Sequence, residues 1–204
     1  MTVDFVLTSP LINDAAAADA ARRLVAADGA LLTNGWQLQL WLPRIGDELL
    51  LRLLKEHIED ADPADYAECL SPFEGGLRLE AGGVVIEPQC CCGLGDAEDW
   101  ADLLLHQPAD WQRVWVGHPW VYARFDEDWV YFSEYGDAGG ETPAGPLTVL
   151  LQLPRAEFVA ALRSALTALT AFYHQLRRVV LATPAFENPA GLVAALTSQY
   201  FNAD

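Results

Sequence analysis

Apolar positions recur with two different periods along this chain, and the change of period divides it into elements. Residues 154–182 carry Phe158, Leu162, Leu166, Leu169, Tyr173, Leu176 and Val180 at steps of three and four, which predicts one long amphipathic helix about 40 Å in length. Pro154 opens it, and Pro184 and Pro189 punctuate its end before a short helix over 190–199. Period-two patterning predicts strands over 112–116, 120–125 and 129–134. In the second of these, Val121, Ala123 and Phe125 oppose Trp120, Tyr122 and Arg124. Asp126-Glu127-Asp128 turns the chain between the last two.

Shorter patterns fill in the rest. Residues 14–27 read as an Ala-rich helix capped by Asn13 or Asp14, with Gly29 beyond its end. Residues 36–42 read as a strand that Pro43 stops. Asp47 is expected to cap a helix through Ile58 with Leu49, Leu50, Leu53, Leu54 and His57 at helical spacing. Residues 59–75 hold two Pro and many acids and read as a loop or short helical turn. Strands over 77–80 and 84–87 form a plausible hairpin through Ala81-Gly82-Gly83. Residues 90–95 turn, and Asp96 caps a helix over 97–106. Residues 136–146 are the best internal boundary, or a long hairpin loop before a strand over 147–152. The expected fold is α+β: a single domain with a mainly antiparallel sheet of about five to seven strands, packed by helices that include the long C-terminal one.

Charge changes this picture more than composition does. The chain holds 29 acids against 12 bases, a formal net charge of −17, yet 52% of it is hydrophobic. Seven Trp, six Tyr and eight Phe exclude an acidic disordered tail. Eleven Arg and one Lys are too few and too scattered for the basic stripe that phosphate recognition needs, so neither nucleic acid nor an anionic membrane is an expected partner. The acids are concentrated: residues 56–102 hold 13 of them and one base, Arg78. Like charges so dense repel one another, and a sequence without a functional demand could intersperse Lys. The functional reading is a docking surface for a basic protein, with Glu59, Asp60, Asp62, Asp65 and Glu68 as its contact residues. The alternative is a solvated face kept for solubility.

No secretory signal is expected, because the N-terminal stretch has no basic start and Asp4 interrupts it. No run of about 18 uncharged apolar residues predicts a membrane helix. Four Cys, three of them consecutive at 90–92, make a poor disulfide framework, and the expected compartment is the cytoplasm.

Candidate chemistry is sparse. In an extended chain Cys90 and Cys92 share a side and Cys91 faces away, so the three do not converge on one zinc ion. No CxxC pair completes a structural site. Cys90 and Cys92, with His118 approaching in space, are candidates for a thiol-dependent or metal-assisted enzyme. The helix N-terminus that follows would lower a thiol pKa, while Asp96, Glu98 and Asp99 would raise it. Neither a cofactor nor a bound metal is expected, and there is no GxSxG, Walker loop, HExxH or GxGxxG after a strand. From Trp100 to Tyr135 ten aromatic residues accumulate. These fit a strand core, a sugar-stacking face or a protein hot spot.

Residues 86–93 (IEPQCCCG), then Trp100, then Trp115-Val116-Gly117-His118-Pro119-Trp120, resemble a pattern in uncharacterised bacterial proteins. These are small acidic α+β proteins of immunity type, including those with a SMI1/KNR4-like architecture. The resemblance covers about residues 84–135. It implies a protein-binding role and carries no catalytic residues. A structural or regulatory domain without a small-molecule site remains the third reading.

Overall fold

The computed structural model describes residues 1–8, 31–33, 38–71, 73–89, 91–136 and 145–197. The helix expected over 14–27, most of the 136–146 connection, and Cys90 lie outside these residues. The chain divides into two compact units: Met1–Val6 with Glu74–Thr167, and Leu7–Phe73 with Ala168–Asp204.

The fold is α+β, with nine strands in two sheets among the described residues rather than one sheet of five to seven. In the first unit β6 (Gln112–Val114), β7 (Val121–Phe125), β8 (Trp129–Ser133) and β9 (Val149–Pro154) lie in that order, each antiparallel to the next. Their registers place Ala123 opposite Phe132, Phe132 opposite Leu151, and Val130 opposite both Phe125 and Leu153. These five hydrophobic residues and Ala123 are all buried and form one face. Phe158 packs edge-on against Phe132 at 5.3 Å and tilted against Phe125 at 6.1 Å. The hydroxyl of Ser133, itself buried, accepts the Tyr122 N–H at 2.9 Å, so a polar group inside the sheet is satisfied.

The other strands of this unit are β1 (Thr2–Thr8), β4 (Gly75–Ala81) and β5 (Val84–Ile86), neighbours in the order β1-β4-β5. The β4–β5 hairpin is the expected one. Gly82 and Gly83 turn it at φ of 58° and 83°, a region that favours glycine. Helix α3 (Ala97–His106) follows Asp96, as expected. The Asp96 carboxylate does not bond to the helix, however: its Oδ2 accepts the Gly93 N–H at 2.7 Å and closes the preceding turn. Trp100, Leu103 and Ala97 are its buried face.

In the second unit β2 (Leu31–Thr33) pairs antiparallel with β3 (Leu38–Trp41). Helix α1 (Asp47–His57) starts one residue earlier than the expected cap position implies. Gly46 is the N-cap and Asp47 the first helical residue. Asp47 accepts two hydrogen bonds from the Arg178 guanidinium, at 2.6 and 2.8 Å, and one from Gln175 at 2.9 Å. These donors hold its carboxyl down at about 2. A short helix α2 (Tyr66–Cys69) follows.

Helix α4 (Arg155–Ala182) is the long helix expected from the periodicity, and its residues belong to both units. Six of the seven residues of the expected stripe are buried. Ala165 is buried in place of Leu166, which is partly exposed. Toward its C-terminal end Phe172 meets Phe73 edge-on at 6.4 Å. Helix α5 (Pro189–Thr197) closes the described chain, with Pro at its first position, where its missing N–H costs nothing.

Candidate functional site

All five acids expected to contact a partner are exposed, and all five sit in the second unit within ten residues. Local chemistry explains the shape of this segment. Asp62 Oδ1 accepts the Ala64 N–H at 2.9 Å, the turn that Asp forms readily across a following Pro, and the Asp65 N–H bonds to the Asp62 carbonyl at 3.0 Å. Asp65 then begins α2: its carbonyl accepts the Cys69 N–H at 3.2 Å and the Cys69 thiol at 3.0 Å.

Two contacts anchor the segment to α5. Asn188 donates from Nδ2 to the Pro63 carbonyl at 2.9 Å, and its Oδ1 accepts the Gly191 N–H at 3.1 Å. A Cβ at position 191 would run into the Asn188 amide, so a larger residue there would displace that side chain. The Tyr66 hydroxyl donates to the Glu187 carbonyl at 3.1 Å, and burial, followed by the charge of Glu187, pushes the phenol pKa up. A cleft of about 280 Å³ opens between α2 and α5, with Asp65, Tyr66 and Asn188 among its lining.

Some acids elsewhere in the fold have arginine partners. Asp47 pairs with Arg178, and Glu80 and Glu87 both pair with Arg78 at 2.9 and 2.8 Å. Among the described residues, no basic side chain lies within ion-pair distance of Glu59, Asp60, Asp62, Asp65 or Glu68. The wider acidic stretch is not one element. Glu56 and these five belong to the second unit, whereas Glu74, Glu80, Glu87, Asp96, Glu98, Asp99 and Asp102 belong to the first.

The cysteine turn and the Gly-His-Pro-Trp segment both belong to the first unit, and a backbone bond links their neighbourhoods: Gln89 N–H donates to the Val116 carbonyl. Nearby, the Tyr135 hydroxyl accepts the Glu87 N–H at 3.0 Å and Asp99 Oδ2 accepts the Trp115 N–H at 2.9 Å. The stretch from 84 to 135 is thus tied together through its backbone. Cys92 is buried, with Gly76 against its sulfur. Burial, reinforced by the charge and hydrogen bond of Asp96 and by the charge of Asp99, drives its thiol pKa far upward, so it stays protonated at neutral pH. That is opposite to what a nucleophile needs, and Cys92 acts as a packed small side chain. Cys91 is exposed at a φ of 60°. His118 is exposed, lies edge-on to Trp120 at 5.1 Å, and follows Gly117, whose φ of 90° makes the bend. Among the described residues no group of three or more His, Cys, Asp or Glu could hold a metal ion.

The aromatic stretch divides by register. Trp100, Tyr122, Phe125 and Phe132 are buried core, whereas Trp111, Trp115, Tyr131 and Trp129 reach solvent in part. Arg124 lies opposite Tyr131 and sits over its ring at 4.0 Å, with the Trp111 ring at 5.2 Å. Arg113 lies 5.3 Å over Trp120, which in turn stacks on Trp115 at 6.0 Å. In the sequence these two are among the scattered arginines that make no basic stripe. The alternation that puts Arg124 on the side of Tyr122 was the signal that they serve the aromatic rows.

No family model matches the chain, and no curated protein or solved structure is significantly similar to it. Among the described residues, no helix is long and apolar enough to cross a membrane.

Proposed function

We propose that this chain is an acidic protein-binding domain, of the immunity type that its sequence resembles, which docks a basic partner protein in the cytoplasm through Glu59, Asp60, Asp62, Asp65 and Glu68. One observation carries the reading: five exposed carboxylates crowd into ten residues, and among the described residues no basic side chain lies within ion-pair distance of any of them. Unneutralised charge of one sign costs stability through self-repulsion and gains association rate with an oppositely charged surface. The anchoring of the turn by Asn188 and Tyr66 favours the same role, since a preorganised loop loses less entropy on binding. The cleft beside Asp65 offers room for the aliphatic stem of a long basic side chain.

The test begins with cross-linking and capture of basic proteins from the native cell. The association rate of the captured protein is then measured against the wild-type chain and against a variant with all five acids changed to their amides. Association that slows markedly in the variant supports the reading. A partner that binds both chains at the same rate rules this surface out.

A further inference from the structure

The other face of the four-stranded sheet carries two partly exposed arginines beside buried Trp120 and Tyr122. Arg113 and Arg124 lie on neighbouring strands β6 and β7. The register sets Arg113 opposite Tyr122 and Arg124 opposite Tyr131, which makes the two arginines diagonal neighbours, roughly 7–8 Å apart at their backbones. The Arg124 guanidinium lies over the Tyr131 and Trp111 rings, and that of Arg113 over the Trp120 ring. Stacking fixes the plane of a guanidinium and leaves its N–H edge available for a bidentate acceptor. Among the described residues neither arginine has a carboxylate within ion-pair distance. The charge of Arg124 is felt by Asp126, whose carboxylate accepts the Tyr131 hydroxyl at 2.6 Å and the N–H groups of Asp128 and Trp129, and the charge of Arg113 by Asp99, which accepts the Trp115 N–H. Around the arginines stand Trp111, Trp115, Tyr131 and the more exposed Trp129. Trp, Tyr and Arg are the residues that dominate binding energy at protein interfaces.

We propose that this face is a second docking surface, which receives an extended peptide segment of a partner protein through two carboxylates, one at Arg113 and one at Arg124, with the peptide lying over the Trp111–Tyr131 row. In a chain of net charge −17, two stacked arginines with no described carboxylate within ion-pair distance are complementary to an anion. The spacing fits as well: carboxylates on alternate residues of an extended peptide lie about 6.6 Å apart, close to the diagonal separation of the two arginines. Neutral sugars would use the rings and have no need of the two positive charges.

The experiment titrates the full chain with the acetylated peptide Glu-Ala-Glu-Ala-Glu at about 0.15 M salt, where charges beyond about 8 Å are largely screened and the remote acids repel it little. Binding is read from NMR shifts of the backbone amides and the indole N–H groups. Shifts centred on residues 111–131, absent with Gln-Ala-Gln-Ala-Gln, are expected. R113Q and R124Q should each weaken binding about fivefold, the scale of an exposed charge contact, and R163Q should leave it unchanged. R113Q lies outside the Trp111–Tyr131 stack, so it tests the proposal even where R124Q disturbs that stack. The proposal is overturned if the glutamate peptide produces no shifts on this face, if the glutamine peptide binds as well, or if chitohexaose binds there while the glutamate peptide does not.

Discussion

Replacing Gly76 by Ala tests whether Cys92 is packing material. The added Cβ would stand 2.8 Å from the Cys92 sulfur and 3.1 Å from Cγ of Pro88, against ordinary contacts of about 3.5–4.0 Å. Cys92 is buried and cannot swing aside, so G76A is expected to cost about 1–3 kcal/mol. C92A alone removes one buried heavy atom and should cost about 1 kcal/mol. In the double variant the new methyl enters the space the sulfur has left, and only the Pro88 contact opposes it. The two changes should therefore cost about 1–2 kcal/mol less together than the sum of the separate costs, a coupling typical of residues in contact. The effect of Gly→Ala on the unfolded chain cancels in the cycle. Urea unfolding of the four proteins measures it. Costs that add within about 0.5 kcal/mol would show that the sulfur does not occupy the space above Gly76, and the description of Cys92 as a packed side chain would fail.

Three further outcomes follow from the geometry. In the native protein at pH 8, iodoacetamide should modify exposed Cys69 and spare Cys92, as peptide mass mapping would show; rapid labelling of Cys92 contradicts its burial and raised pKa. Asp47 is held at about 2, below its unfolded value of about 3.9, so its interactions with Arg178 and Gln175 stabilise the fold above pH 4 and are lost as pH falls from 4 towards 2. D47N should thus be less stable than wild type at pH 6 and equal to it near pH 2, with melting temperatures as the readout. N188A removes the acceptor for Gly191 and the donor to Pro63, and should cost about 0.5–2 kcal/mol while loosening the acidic turn, seen as faster amide exchange over 62–69.

The long helix was legible because its stripe repeats over seven apolar positions and prolines bracket it. The strands of the aromatic region were legible because Val121, Ala123 and Phe125 alternate cleanly and an acidic triplet turns the chain. Strand β2 was not: it is three residues long, too short for a periodic signal. The capping role of Asp47 was misplaced because local sequence cannot show Arg178, 131 positions away, competing for its carboxylate. The same limit hid the fate of the cysteine turn. A helix N-terminus and three acids pull a thiol pKa in opposite directions, and only the burial of Cys92 decides the sum. The exposure of the five acids was readable from their loop. The lack of arginine partners was not, since Arg78 lies ten residues from Glu68 and nine from Glu87, yet pairs with Glu80 and Glu87.

The central claim is that the Glu59–Glu68 turn steers a basic partner. The most direct measurement is the association rate of the captured partner as a function of ionic strength, for the wild-type chain and for the variant E59Q/D60N/D62N/D65N/E68Q. Electrostatic steering raises association rates by about 10–1000-fold and falls steeply with salt. The wild-type rate should therefore drop as salt rises, and the variant should associate at least about tenfold more slowly at low salt with a nearly flat salt dependence. Equal rates and equal salt slopes for the two chains would contradict the account.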